Sequence, residues 1–107
     1  MISRTAKKLY QGLQSSTITV RYTAPTNTTA QVTEIYLANT GPDERTFTLY
    51  QGGTAAQHVL LNGLVIPAGG SLLLQDLKIV VAAGQTVASR ANAGTDITMT
   101  LYGIEEV

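Results

Sequence analysis

His58 is the only histidine among the 107 residues, and cysteine is absent. A multi-histidine zinc shell, an HExxH pair and a thiolate nucleophile are therefore closed to this chain. One imidazole can still serve a hydrolytic triad, with Ser71 or Ser89 as nucleophile and Asp76 or Asp96 to orient the ring. No Gly-x-Ser-x-Gly elbow is present to raise a serine onto a strand-to-helix turn, so His58 is expected on a strand edge or loop without catalytic duty. The acidic residues include two adjacent pairs, Asp43-Glu44 and Glu105-Glu106. Such pairs alternate faces in an extended chain and read as a solvated loop and tail, with nothing to set two carboxylates about 5–10 Å apart across a cleft as a glycosidase needs. Gly52-Gly53 and Gly69-Gly70 lack the Gly-Lys-Ser/Thr ending of a phosphate loop and read as turn glycines. Asn92-Ala93-Gly94-Thr95-Asp96 has too few oxygen side chains for a calcium loop and reads as a hairpin turn. No catalytic, cofactor-binding or metal-ligating residue is assigned, and the chain is expected not to be an enzyme.

Recognition chemistry is left to five tyrosines, Tyr10, Tyr22, Tyr36, Tyr50 and Tyr102. Such rings stack on sugars or bases, or anchor protein interfaces. With no tryptophan and few cations, the protein interface is the preferred reading. The candidate partner-contact residues are Lys7, Lys8, Tyr10, Tyr36 and Tyr50.

The elements that must position these residues are strands. In Thr17–Thr23 the apolar Ile18, Val20 and Tyr22 are expected on one face and the threonines with Arg21 on the other. Pro25 and Asn27 end that strand. Thr33, Ile35 and Leu37 alternate with Val32, Glu34 and Tyr36 in a second strand, and Phe47 and Leu49 are the inward pair of a third. Val59–Leu61 and Leu64–Ile66 flank Asn62-Gly63, which suits a primed hairpin turn or a bulge. Ser71–Leu74, Leu77–Val81, Thr86–Arg90 and Asp96–Tyr102 complete seven or eight strands. Val65–Leu72 and Val80–Val87 echo each other at a spacing of fifteen, a repeated strand, Ala-Gly turn, strand unit that reads as hairpin reuse. The expected fold is all-β: a single antiparallel two-sheet β-sandwich or jelly roll over residues 15–107. Residues 1–14 fit helical and strand periodicity equally. They are expected to be an ordinary first strand or an N-terminal arm reaching a neighbouring subunit, with Lys7 and Lys8 at its tip.

Composition narrows the partners. Seven Lys and Arg balance seven Asp and Glu, and charged residues make up only 13% of the chain where about 25% is usual. Nucleic acid and anionic membrane are thereby disfavoured, since both are held by clustered cations. No run approaches the roughly 18 apolar residues of a membrane span, and no targeting segment is read. Sixteen threonines supply a polar exterior without charge, and little like-charge repulsion keeps copies apart.

The order Tyr22-Thr23-Ala24-Pro25, Val32–Gly41, Phe47–Tyr50, Val65-Ile66-Pro67-Ala68-Gly69-Gly70, Val80-Val81-Ala82-Ala83-Gly84-Gln85 and Ile97–Gly103 resembles small β-sandwich virion proteins of tailed bacteriophages. The resemblance runs over about residues 8–105. It implies a non-enzymatic virion component, made in the host bacterial cytoplasm and assembled in many copies. The first expectation is a capsid decoration or cement protein on the head shell. A neck, tail or fibre-base protein is the alternative, and a carbohydrate- or receptor-binding module is the alternative from another class. The implied partners are further copies of the chain, with a trimer on local three-fold positions expected first, and the major capsid protein or another virion protein. No contact residue is carried over.

Overall fold

Threonine and valine alternating with core aliphatics build nine strands among residues 3–107, which the computed structural model describes. These are β1 (Arg4–Leu13), β2 (Thr19–Thr23), β3 (Thr29–Asn39), β4 (Arg45–Gln51), β5 (Val59–Ile66), β6 (Ser71–Leu74), β7 (Ile79–Val81), β8 (Thr86–Ala91) and β9 (Ile97–Glu106). A single 3₁₀ turn, Ala56–His58, precedes β5. One sheet runs β1-β9-β3-β6, with β7 beside β6 on the same flank of β3, and the other runs β2-β8-β4-β5. All pairings are antiparallel.

With β6 and β7 taken as one interrupted strand, first pairs with last, second with second-last, and so inward to the β4–β5 pair. That is one long hairpin rolled up on itself, the jelly-roll arrangement, and the expected two-sheet sandwich is the fold found. The roll makes the chain change sheets at most connections. The Pro67–Gly70 and Ala82–Gln85 turns share one geometry: the fourth residue's N–H donates to the first residue's carbonyl at 2.9 Å, with Gly69 and Gly84 at positive φ. Both carry the chain from one sheet to the other, as does the Asn92–Asp96 segment, so the hairpins expected at these places are corrected to corners.

Bulges correct the expected faces. In β2 the register slips between Val20 and Tyr22, with Arg21 as the extra residue. Val20 is consequently 47% exposed while Tyr22 packs on the core, so the two do not share a face as alternation alone implies. In β3 the slip at Thr33 places Val32 in the core together with Ile35 and Leu37. Asn62-Gly63 is also a bulge, because β5 runs unbroken from Val59 to Ile66 and these two residues stand opposite Thr48 alone.

Residues 4–13 form β1, paired with β9 along its length and slipping once at Leu9. Leu9 and Tyr10 pack against the core. The core itself lies between the sheets, centred on Phe47, Leu49, Ile35, Leu37, Ile97, Met99 and Leu101, none more than 1% exposed. Met1 and Ile2 lie outside the described residues.

Candidate interaction surface

Strand register sets side chains in rows across the outer face of the β1-β9-β3-β6 sheet. Gln11, Thr100, Tyr36 and Leu73 stand side by side on four successive strands, and Lys8, Tyr102 and Glu34 form the next row. Tyr36 and Tyr102 are diagonal neighbours, ring centroids 5.5 Å apart at 82°, an edge-to-face pair. They are 41% and 39% exposed, so the pair presents substantial ring area to solvent. The Tyr36 hydroxyl donates to Glu34 Oε2 at 3.4 Å, and the carboxylate's charge, ahead of slight burial, raises the Tyr36 pKa. Gln11 Nε2 donates to Thr100 Oγ1 at 3.2 Å, and Lys8 Nζ donates to Gln11 Oε1 at 3.1 Å. Two adjoining open grooves of about 450 and 340 Å³ run over this face, sharing Gln11, Tyr36 and Thr100. The arrangement offers aromatic area, amide and hydroxyl groups, one carboxylate and one ammonium. It can hold a neutral polar partner or another protein surface.

Of the five candidate contacts, Lys8 and Tyr36 fall on this face. Lys7 points elsewhere, to Glu105 Oε1 at 3.1 Å, and Glu105 also accepts a 2.5 Å hydrogen bond from the Tyr22 hydroxyl. Burial first, then the Glu105 bond and its charge, push the Tyr22 phenol well above its usual range. The same hydrogen bond, assisted by Lys7 and opposed by burial, holds the Glu105 carboxyl below its usual value. Tyr10 lies partly buried beneath Arg21, whose guanidinium carbon is 5.8 Å from the ring centroid. Tyr50 stands on the outward side of β4 by alternation yet is only 5% exposed, so its ring belongs to the packing and offers a partner almost nothing. Tyr102, Gln11 and Thr100 join the face through register.

A second polar group was invisible in the sequence. Gln14, fully buried, accepts a hydrogen bond from the Ser89 hydroxyl, and Ser89 Oγ accepts one from Arg21 Nε at 3.2 Å. Arg21 Nη1 reaches the Tyr10 oxygen at 3.4 Å, and Nη2 is buried without a partner. Ser89 is thus engaged in packing between the sheets. His58 Nδ1 accepts from the Ala55 backbone N–H at 3.3 Å, and Asp96 is bound by Arg45 at 2.9 and 3.0 Å. Among the described residues no three His, Cys, Asp or Glu side chains gather as a metal site, and no helix is long and apolar enough to cross a membrane.

No protein-family model matches the chain, and no curated protein matches it. Among solved structures it is similar to a protein of Bacillus endospore appendages, described as a family of disulfide-linked pili, with a TM-score of 0.52 at 17% identity. That likeness covers 97% of this chain and 86% of the other. It is also similar to a chain of infectious bursal disease virus, Gx strain, with a TM-score of 0.54 at 10% identity. The match takes in 99% of this chain but 33% of the viral one, so the present chain spans about a third of that protein's length. At these identities the likeness is one of fold.

Proposed function

We propose that this chain is a structural subunit that works by assembling in many copies, and that its place is the shell of a bacteriophage particle as a decoration protein. One observation carries the reading. Every edge strand of both sheets bears an exposed large apolar side chain: Leu13 on β1, Val20 on β2, Leu60 and Val65 on β5, Leu73 on β6 and Val80 on β7. Unpaired backbone and apolar side chains on the same edges favour contact with further chains, and the few charges on this chain do little to prevent it. The fold supports the reading, since a pilus protein and a virus chain are built on it. A disulfide-linked polymer of the kind described for the appendages is closed to this chain, which has no cysteine. Its assembly would be non-covalent, with modest interfaces multiplied over many copies.

Quantitative mass spectrometry of purified particles tests this. Hundreds of copies per particle are expected on a shell. A handful of copies would move the chain to the neck or tail, and its absence from particles would end the virion reading.

The Tyr36–Tyr102 pair favours one further reading, a glycan- or receptor-binding face. It requires that the isolated domain bind a polysaccharide or whole cells and that Tyr36→Ala or Tyr102→Ala abolish the binding. No binding across a broad glycan array would dismiss it.

A further inference from the structure

From Thr46 to Gln75, thirty consecutive residues carry no Asp, Glu, Lys or Arg. The fold gathers this stretch on one flank of the sandwich, where β5 ends its sheet and β6 lies on the flank of the other, with contacts between β5 and β3 joining the two layers. Three of the edge strands are longer than four residues, β1, β2 and β5. β1 carries Arg4, Lys7 and Lys8, and β2 carries Arg21, so β5 alone is free of charge.

We propose that β5 is a two-fold self-pairing edge, along which a second copy of this chain lays its own β5 antiparallel. The proposal rests on the reading that the chain assembles, and it names the surface. In a two-fold contact residue i meets j while j meets i, so several charges of one sign on an edge confront one another across the axis, and a lone charge does so when it lies near the axis. β1, with three cations and no anion, is penalised by this, β2 is penalised where the axis falls near Arg21, and β5 avoids it in every register.

The register follows from the bulge. Leu60 and Val65 are both exposed, at 44% and 55%, although their odd spacing would put them on opposite faces of a regular strand. The extra residue at Asn62-Gly63 restores a common face. A two-fold axis between Asn62 and Gly63 sets Leu60 of each copy against Val65 of the other and Leu61 against Leu64, with bulge facing bulge at the centre. Each match joins residues of the same face, so both halves of the ladder stay in phase. A second irregularity, at Leu60 itself opposite the Leu49-Tyr50 step, bends the strand at the outer end of the match and leaves the inner Leu61–Leu64 pairs undisturbed.

The area suffices. Eight residues in extended conformation span about 27 Å, and the molecule's shortest extent is 19 Å. A footprint of about 500 Å² per copy results, or about 1,000 Å² in total, the lower bound of a specific interface.

The test uses the full chain. Wild type and the double variant Leu60→Lys/Val65→Lys are compared by light scattering and sedimentation over a concentration series, with circular dichroism confirming the fold. Both positions are exposed, so the variant should fold. The dimer dissociation constant is expected to rise about 100-fold or more, because four like charges would meet across the edge. A second variant, Leu60→Cys/Val65→Cys, reports the register. The two positions lie about 15 Å apart within one strand, too far for an intrachain bridge. Oxidation should therefore give a discrete, reductant-sensitive dimer, with no other thiol to confuse it.

A wild-type trimer, a wild-type oligomer unchanged by the lysines, or failure of the cysteines to link a dimer overturns the β5 pairing and leaves the assembly reading standing. A wild-type chain that stays monomeric at millimolar concentration also overturns the pairing. The shell reading is then decided separately by copy number in particles.

Discussion

Among the glycines, Gly103 leaves the least room for a side chain. It sits on β9 between Lys7 of β1 and Val32 of β3, beside the level where both neighbours bulge, at Leu9 and Thr33. A Cβ at this position would overlap the Gln31 carbonyl oxygen and stand 2.9 Å from Leu9 Cδ1. Leu9 can yield by changing rotamer. The carbonyl cannot, because it belongs to a strand paired on both sides. Gly103→Ala must therefore spread the β9–β3 ladder, at about 3 kcal/mol, the upper part of the range for overpacking. For a domain of this size, total stability is about 5–15 kcal/mol and each kcal/mol moves the melting midpoint about 4–8 °C. The expected drop is thus about 12–24 °C. Gly69→Ala is the control: its φ of +68° carries a left-handed strain of about 1–2 kcal/mol, but a Cβ there meets nothing within 4 Å. Thermal and urea unfolding of both variants, followed by circular dichroism, should rank Gly103→Ala well below Gly69→Ala. Equal loss, or a smaller loss at Gly103, would refute the steric argument.

Three further outcomes are expected. The Glu105 carboxyl is held low, so its contribution to stability is present above the unfolded value near 4.5 and is lost as pH falls through the lower folded value. The Tyr22 phenol is held high, so its contribution is present below about pH 10 and lost as pH rises beyond. Tyr22→Phe should flatten both limbs of a urea-midpoint profile against pH, and unchanged limbs would exclude the pair as their source. Arg21→Met removes a guanidinium with one buried, unpaired nitrogen while keeping the packing of its stem. It should change stability by less than about 1 kcal/mol by urea unfolding, whereas a loss above about 3 kcal/mol would mean that the charge is properly satisfied. Deleting residues 1–12 strips the ladder partner from β9 and uncovers core packed by Leu9 and Tyr10. The truncated chain should lose its cooperative melt, and a native-like melt would make β1 dispensable.

Much of the fold could be read from alternation. Phe47 with Leu49, and Ile97 with Met99 and Leu101, fall inward as their spacing implies, because β4 and β9 carry no inserted residue of their own between these positions and the extra residue opposite Thr48 belongs to β5. Alternation alone misplaces Val20 and Val32, because a bulge is a property of two strands. Arg21 and Thr33 become extra only when β8 and β9 fix what stands opposite. From sequence the corners at Gly69 and Gly84 look like hairpins, because a turn with glycine at positive φ has the same chemistry whether the chain stays in its sheet or crosses to the other. The outer face was legible only as separate tyrosines. Tyr36 and Tyr102 are 66 positions apart in sequence, and their contact arises from the long-range β3–β9 register. Tyr50 shows the converse, an outward position by alternation whose burial comes from the tertiary fold.

If this sandwich is a repeated building unit of a phage shell, as proposed, an image reconstruction of purified particles will reveal it. Density for the jelly roll is expected at regularly repeated positions on the shell, with edge strands in contact with neighbouring chains. Particles whose shell lacks such density, or in which the sandwich stands as an isolated copy with all its edges in solvent, would contradict the proposal.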